Sequence, residues 1–134
     1  MKLIDHVKAL QLPPRTFVVV GSSTMVVLGL ADNDNDVDLT VDQAVFDRYK
    51  SLGWRQEFFQ GEPVLKSGVY DIGVRFYKWR LEELLRDAIW VDDVPFMSLE
   101  KLLAWKKHML READLPHIAL LEAYLAHPPK PSAS

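Results

Sequence analysis

VVVGSSTMVVLGLADNDNDVDLTVD, residues 18–42, places a small polar turn, Gly21-Ser22-Ser23, directly after an apolar run. About fifteen residues later the pattern turns to Asp36-Val37-Asp38-Leu39. Thr16 to Val20 is a short β-branched run and predicts a buried strand that Gly21 ends. Ser22 or Ser23 is placed to cap a nearly all-apolar helix running to about Leu30. Residues 36 to 41 alternate polar and apolar, so they predict a second strand with two different faces. In such a strand Asp36 and Asp38 share one face, while Val37 and Leu39 point to the core.

Around this stretch the chain predicts an ordinary globular protein. Its 134 residues suit one domain, 1–127, followed by a flexible Pro- and Ser-rich tail at 128–134. With no cysteine, disulfides and thiolate zinc sites are excluded, which suits a cytoplasmic protein. The first ten residues break their apolar pattern with Asp5, His6 and Lys8 and do not form a signal peptide. No apolar run reaches the roughly 20 residues of a membrane span, so no membrane partner is expected. A formal charge of -3 provides no general attraction for nucleic acid.

The remaining pattern supplies more elements. A short helix is expected over residues 2–11. Asp42 should cap another, to about Leu52, with Val45, Phe46 and Tyr49 on its inner side. WRQEFF and VLKSG predict antiparallel strands around a turn at Gly61-Glu62-Pro63. VYDIGVRFY, 69–77, predicts one more strand. Arg80 to Ala88 should be helical. IWVDDVPF should be extended, with Pro95 at its end or at a sheet edge. An amphipathic helix follows from Ser98, carrying Lys101, Lys106, Lys107 and Arg111 on its solvated side, and Asp114 is placed to cap the last helix. Strands grouped in the middle with helices around them predict an α/β or α+β sheet domain with a C-terminal helical segment.

Two like charges as close as Asp36 and Asp38 oppose each other's ionisation unless a cation lies between them. Their hard oxygens suit magnesium or manganese. In the strand at 69–77, Asp71 shares a face with Gly73 and Arg75. Next to residues 36–41 it would add a third carboxylate, enough to hold the two metal ions used in phosphoryl or nucleotidyl displacement. A strand, a glycine turn and a helix N-terminus make an anion site in which Ser22 or Ser23 adds a hydroxyl donor. DNDNDVDLTVDQ also has the alternating aspartates of a calcium loop, Asp32, Asp34 and Asp36. It carries Val37 where that loop needs glycine and Gln43 where it needs glutamate.

Taken together, VVVGSS, DVDL and VYDIGV resemble the nucleotidyltransferase-fold superfamily. Residues 94–121, VPFMSLEKLLAWKKHMLREADLPHIALL, resemble the helical end of its minimal, antibiotic-modifying and toxin-type members. The likeness covers roughly residues 16–125. It implies a nucleotidyltransferase-like mixed sheet and transfer of a nucleoside monophosphate from an NTP, ATP foremost, to an acceptor hydroxyl on a small molecule, a protein or an RNA. By the same likeness Asp36, Asp38 and Asp71 bind Mg2+ or Mn2+, with Asp71 also the base. Gly21, Ser22 and Ser23 hold the triphosphate, and Lys106 stands near the phosphates. The chain departs from the family in having ADNDND ahead of Asp36 in place of an Arg and a Thr or Ser, Ala113 in place of Lys, and His117 in place of Asp. A chain this short leaves room for a second copy or a protein partner to complete the acceptor site. The alternative implied by the departures is a catalytically inactive member kept for binding, as one half of a toxin–antitoxin pair.

Overall fold

The computed structural model describes residues 2–32 and 36–127. Asp34 of the calcium-loop pattern and the expected tail at 128–134 lie outside them. The first elements in chain order are α1 (Leu3–Ala9), β1 (Phe17–Val20), α2 (Ser23–Val27), β2 (Val37–Val41) and α3 (Gln43–Ser51). Then come β3 (Arg55–Phe59), β4 (Glu62–Ser67), β5 (Tyr70–Gly73), β6 (Arg75–Phe76), β7 (Trp79–Arg80) and α4 (Leu81–Arg86). The chain continues with β8 (Ile89–Val91), β9 (Val94–Phe96), α5 (Leu99–Met109) and α6 (Asp114–Ala126). It divides into two compact units with the boundary between Ser98 and Leu99. The fold is mixed α and β, as expected, and among the described residues no helix is long and apolar enough to cross a membrane.

The first unit is built on a seven-stranded mixed sheet in the order β3-β4-β5-β2-β1-β9-β8. β1 runs antiparallel to β2, and β2 parallel to β5. One face carries Phe17, Val19, Val37, Leu39, Val41 and Ile72, all buried in one apolar cluster with Leu3 and Val7 of α1 and Val45, Phe46 and Tyr49 of α3. Val18, Val20 and Thr40 alternate with these residues and are buried on the other face; α4, whose Leu84 is buried, packs on β1.

Several local expectations hold for the physical reasons that motivated them. The Asp42 carboxylate accepts the Val45 N–H at 2.8 Å and caps α3. Others are corrected. The helix after Gly21 stops at Val27 and not near Leu30, because Gly29 turns left-handed at φ 77°. Its N–H donates to Val26 and that of Leu30 to Met25, the paired bonds of a glycine-terminated helix. The first hairpin turns at Gln60-Gly61, so Glu62 and Pro63 already belong to β4.

VYDIGVRFY is two strands. Gly73 ends β5, Val74 leaves the sheet, and β6 pairs with β7 in a separate hairpin. Alternation in sequence continues across such a break and cannot reveal it. IWVDDVPF is a hairpin turning at Asp92-Asp93. Pro95 lies in β9 between two neighbours, opposite Trp90 of the true edge strand β8. The contact of β9 with β1 is carried by Phe96 and by the Met97 N–H, which donates to Val19 at 2.9 Å, so the missing proline N–H costs no bond there.

Asp42→Ala should lower unfolding stability by about 1 kcal/mol. In urea titrations the midpoint should fall while the slope stays unchanged.

Candidate functional site

Strand pairing brings the glycine turn and the second and third aspartates into one row. Val20 pairs with Asp38 across β1 and β2, and Asp38 pairs in register with Asp71 across β2 and β5. Gly21 follows Val20 and turns at φ 79°, a conformation costly for any residue with a Cβ. A Cβ at Gly21 would stand 3.2 Å from Asp38 Oδ2. The glycine therefore serves both the backbone turn and the close approach of the carboxylate. Asp38 and Asp71 lie on the sheet face opposite the apolar cluster, as in-register neighbours on strands about 4.8 Å apart. Asp36 immediately precedes β2 and is exposed, so it is not the strand residue its alternation predicted.

The turn is fixed from behind. Gly21 N–H donates to Met97 Sδ (3.3 Å), and Thr24 Oγ1 donates to the Met97 carbonyl (2.8 Å). Ser22 is the N-terminal cap residue of α2 in helical conformation, and its hydroxyl makes no capping bond. Ser23 is buried. The glycine amide is thus engaged by Met97. Ser22 stands at the mouth of the turn, among the first helical amides that no helix carbonyl can reach.

Asp71 has a partner that the sequence did not identify. Lys66 lies opposite it across β4 and β5, with Nζ 3.4 Å from Asp71 Oδ1 and 3.5 Å from Glu57 Oε2. Arg55 donates to the same Glu57 at 3.0 Å. The Asp71 carboxylate, and Glu57 more weakly, hold the Lys66 amine protonated above its ordinary range. Asp36, Asp71, Arg55, Lys66, Ser67, Gly68 and Val69 line a polar pocket of about 340 Å3. Arg75, expected on the Asp71 face, is ion-paired with Glu62. Lys66 could have been found from the sequence only by fixing the two-residue loop Gly68-Val69, which sets Ser67 opposite Tyr70 and hence Lys66 opposite Asp71.

Lys106 lies in the C-terminal unit and is not on a solvated face. Its side chain is 1% exposed, and Nζ is 3.2 Å from Asp114 Oδ1. Asp114 is the first residue of α6 and does not cap it. Its carboxylate instead accepts from Arg111 Nε at 2.7 Å, Arg111 Nη2 at 3.0 Å and the Arg111 backbone N–H at 3.1 Å. These Arg111 bonds, with help from Lys106 and against the cost of burial, lower the Asp114 pKa to about 2. His117 Nδ1 is buried with no hydrogen-bond partner among the described residues, and burial, with Lys106 acting in the same sense, holds the ring below its usual pKa. Trp79 is buried edge-on against Tyr77.

Among the described residues, no group of three or more His, Asp or Glu side chains is arranged to hold a metal ion by itself. Comparison with protein-family models, with curated proteins and with solved structures gives no match.

Gly21→Ala should cost about 1–2 kcal/mol through the left-handed backbone alone. It should also displace the Asp38 carboxylate, and both effects can be read from urea unfolding and from the Asp38 carboxyl NMR shift. The Asp114 pKa is lower in the folded chain than in the unfolded one. Its contribution, about 2 kcal/mol, is therefore complete above about pH 4 and lost as pH falls through about 2. Urea midpoints measured between pH 5 and pH 2 should fall less steeply in Asp114→Asn than in the wild type.

Proposed function

We propose that the chain is a metal-dependent nucleotidyltransferase, moving a nucleoside monophosphate from an NTP to an acceptor hydroxyl. The observation that carries this reading is the row formed by Gly21 just past β1, Asp38 in β2 and Asp71 in β5, where a turn that only glycine readily adopts lets a carboxylate approach. The motif resemblance noted in the sequence depends on this juxtaposition, and sequence spacing alone does not guarantee it.

The donor set fits magnesium or manganese. It consists of carboxylate oxygens, which suit hard cations, and two or three of them are enough when phosphate oxygens complete the shell. Asp36, Asp38 and Asp71 would hold the ion, which when bound supplies charge neutralisation at the reacting phosphate. The chain's own residues supply the rest. Gly21 and Ser22, with Ser23 behind them, bound the space for the triphosphate. Asp71 accepts the proton of the acceptor hydroxyl. The freed oxygen bonds to the α-phosphorus, the bond from that phosphorus to the β-phosphate bridging oxygen breaks, and pyrophosphate leaves with the electron pair. Lys106, held by Asp114, enters this reading only as the positive charge that the resemblance assigns to the phosphates.

One observation favours the second reading, a non-catalytic fold kept for binding a protein. Phe58 and Phe59 stand 69% and 54% exposed on edge strand β3, a surface suited to pairing with another chain.

Calorimetric titration of a non-hydrolysable ATP analogue with magnesium separates the two. Wild type should bind, and Asp36→Asn/Asp38→Asn, which removes two carboxylates, should weaken binding by at least about tenfold. Folded wild type that binds no nucleoside triphosphate would exclude the enzyme.

A further inference from the structure

Among the described residues β3 has a neighbour on one side only, β4, and it leaves Phe58 and Phe59 largely exposed. We infer, independently of the chemistry proposed for the aspartate row, that a second copy of this chain covers this edge. The two β3 strands run antiparallel about a two-fold axis at Gln56, and the sheet continues from one copy into the other.

The backbone limits the possible registers. Gln60 and Gly61 have positive φ, 51° and 81°, and form a two-residue hairpin loop whose flanking pair, Phe59 and Glu62, exchanges hydrogen bonds. Alternation along the ladder then turns the backbone groups of Arg55, Glu57 and Phe59 toward β4. Phe58 stands opposite Pro63, which has no N–H to offer, in keeping with that alternation. Gln56 and Phe58 therefore turn their N–H and C=O groups to the open edge. In a symmetric antiparallel pair outward groups must meet outward groups, so the axis passes through a residue of β3 and never between two.

Charge selects among those residues. An axis at Arg55 sets Arg55 against Arg55, and one at Glu57 sets Glu57 against Glu57, like charges directly opposite. An axis at Phe58 or Phe59 runs out of strand at the Gln60-Gly61 turn. An axis at Gln56 sets Arg55 opposite Glu57 of the second copy, twice by symmetry, at positions without backbone bonds where side chains come closest. The Arg55–Glu57 pair within each copy, at 3.0 Å, then meets the same pair reversed, and four charges alternate in sign. Edge charges ordinarily discourage strand addition. Here they discourage every register but one. The same register sets Phe58 opposite Trp54 of the second copy. Trp54 packs on Tyr49 and Tyr70 beside the apolar cluster, so Phe58 extends an aromatic row. Arg55 also lines the polar pocket beside Asp71, which brings Glu57 of the second copy to the rim of that pocket.

Sedimentation velocity of the full chain, at up to about 0.2 mM, tests this with wild type, Arg55→Glu, Glu57→Arg and Gln56→Pro, each first shown to be folded by urea unfolding. Wild type should dimerise. Each charge reversal sets like charges opposite at two symmetry-related positions and should weaken dimerisation by at least about tenfold. An equimolar mixture of Arg55→Glu and Glu57→Arg should recover the wild-type affinity within about threefold, because every introduced charge then meets its opposite in the other variant. Gln56→Pro, which removes an outward N–H and no bond to β4, should be monomeric. Wild type that stays monomeric throughout would overturn the inference and leave the edge to a different protein. A dimer that survives both reversals and Gln56→Pro would place the interface elsewhere and overturn it as well. Reversals that dissociate the dimer without recovery on mixing would reject this register.

Discussion

Val20 and Asp38 are partners across the β1–β2 ladder, and Asp38 and Asp71 are partners across β2–β5. Everything proposed for the site depends on these two registers. A slip of one residue in either would turn an aspartate into the apolar cluster and a valine or leucine toward solvent, because side chains alternate with period two. The cluster beneath, with Val37, Leu39, Val41 and Ile72 all buried, makes such a slip costly. The apolar face therefore holds the polar row in place without touching it. Gly21 is the third fixed point. Its left-handed turn redirects the chain at the end of β1, and the missing Cβ leaves Asp38 Oδ2 the space it occupies.

The two lysine–aspartate pairs of the molecule differ in energetic kind. Lys66–Asp71 is partly exposed, with each side chain about a third accessible, and a pair of this sort contributes little to stability. It can exchange partners at low cost. Lys106–Asp114 is closed off from solvent, and Arg111 supplies the remaining hydrogen bonds to the carboxylate. Removing Asp114 would strip the buried Lys106 ammonium of this carboxylate, so the pair behaves as a fixed clasp between α5 and α6. Ala113 and His117, which flank the clasp, are two of the three places where the chain departs from the pattern it resembles, the third being the residues ahead of Asp36. The buried Nδ1 of His117 has no hydrogen-bond partner among the described residues.

Much of the fold was legible from local patterns. The β-branched run at 16–20 and the alternation at 36–41 each yield a strand one residue shorter, and the Asp42 cap and the inner face Val45, Phe46, Tyr49 appear in the structure. Errors gathered where geometry is set by something other than local period. Gly29 ended a helix whose apolar composition continued, and Val74 broke a strand whose alternation continued. The pairing of β8 with β9 placed Pro95 inside the sheet. Asp114 looks like a cap from its position, yet three Arg111 donors and Lys106 bind it instead.

By itself the sequence determined the elements whose causes lie within a turn or two of chain: apolar period, caps, and the glycine that ends β1. It also contained the residue types of the site, Gly21, Asp36, Asp38 and Asp71. Only the tertiary structure decided that Gly21, Asp38 and Asp71 stand in one row. The same is true of Lys66 opposite Asp71, Arg55 sharing Glu57, and burial of Lys106 against Asp114. The reason is that strand register and the choice among charged partners are non-local. They are fixed by which residues the sheet and the packed helices bring together across tens of positions, and short-range spacing carries no information about that.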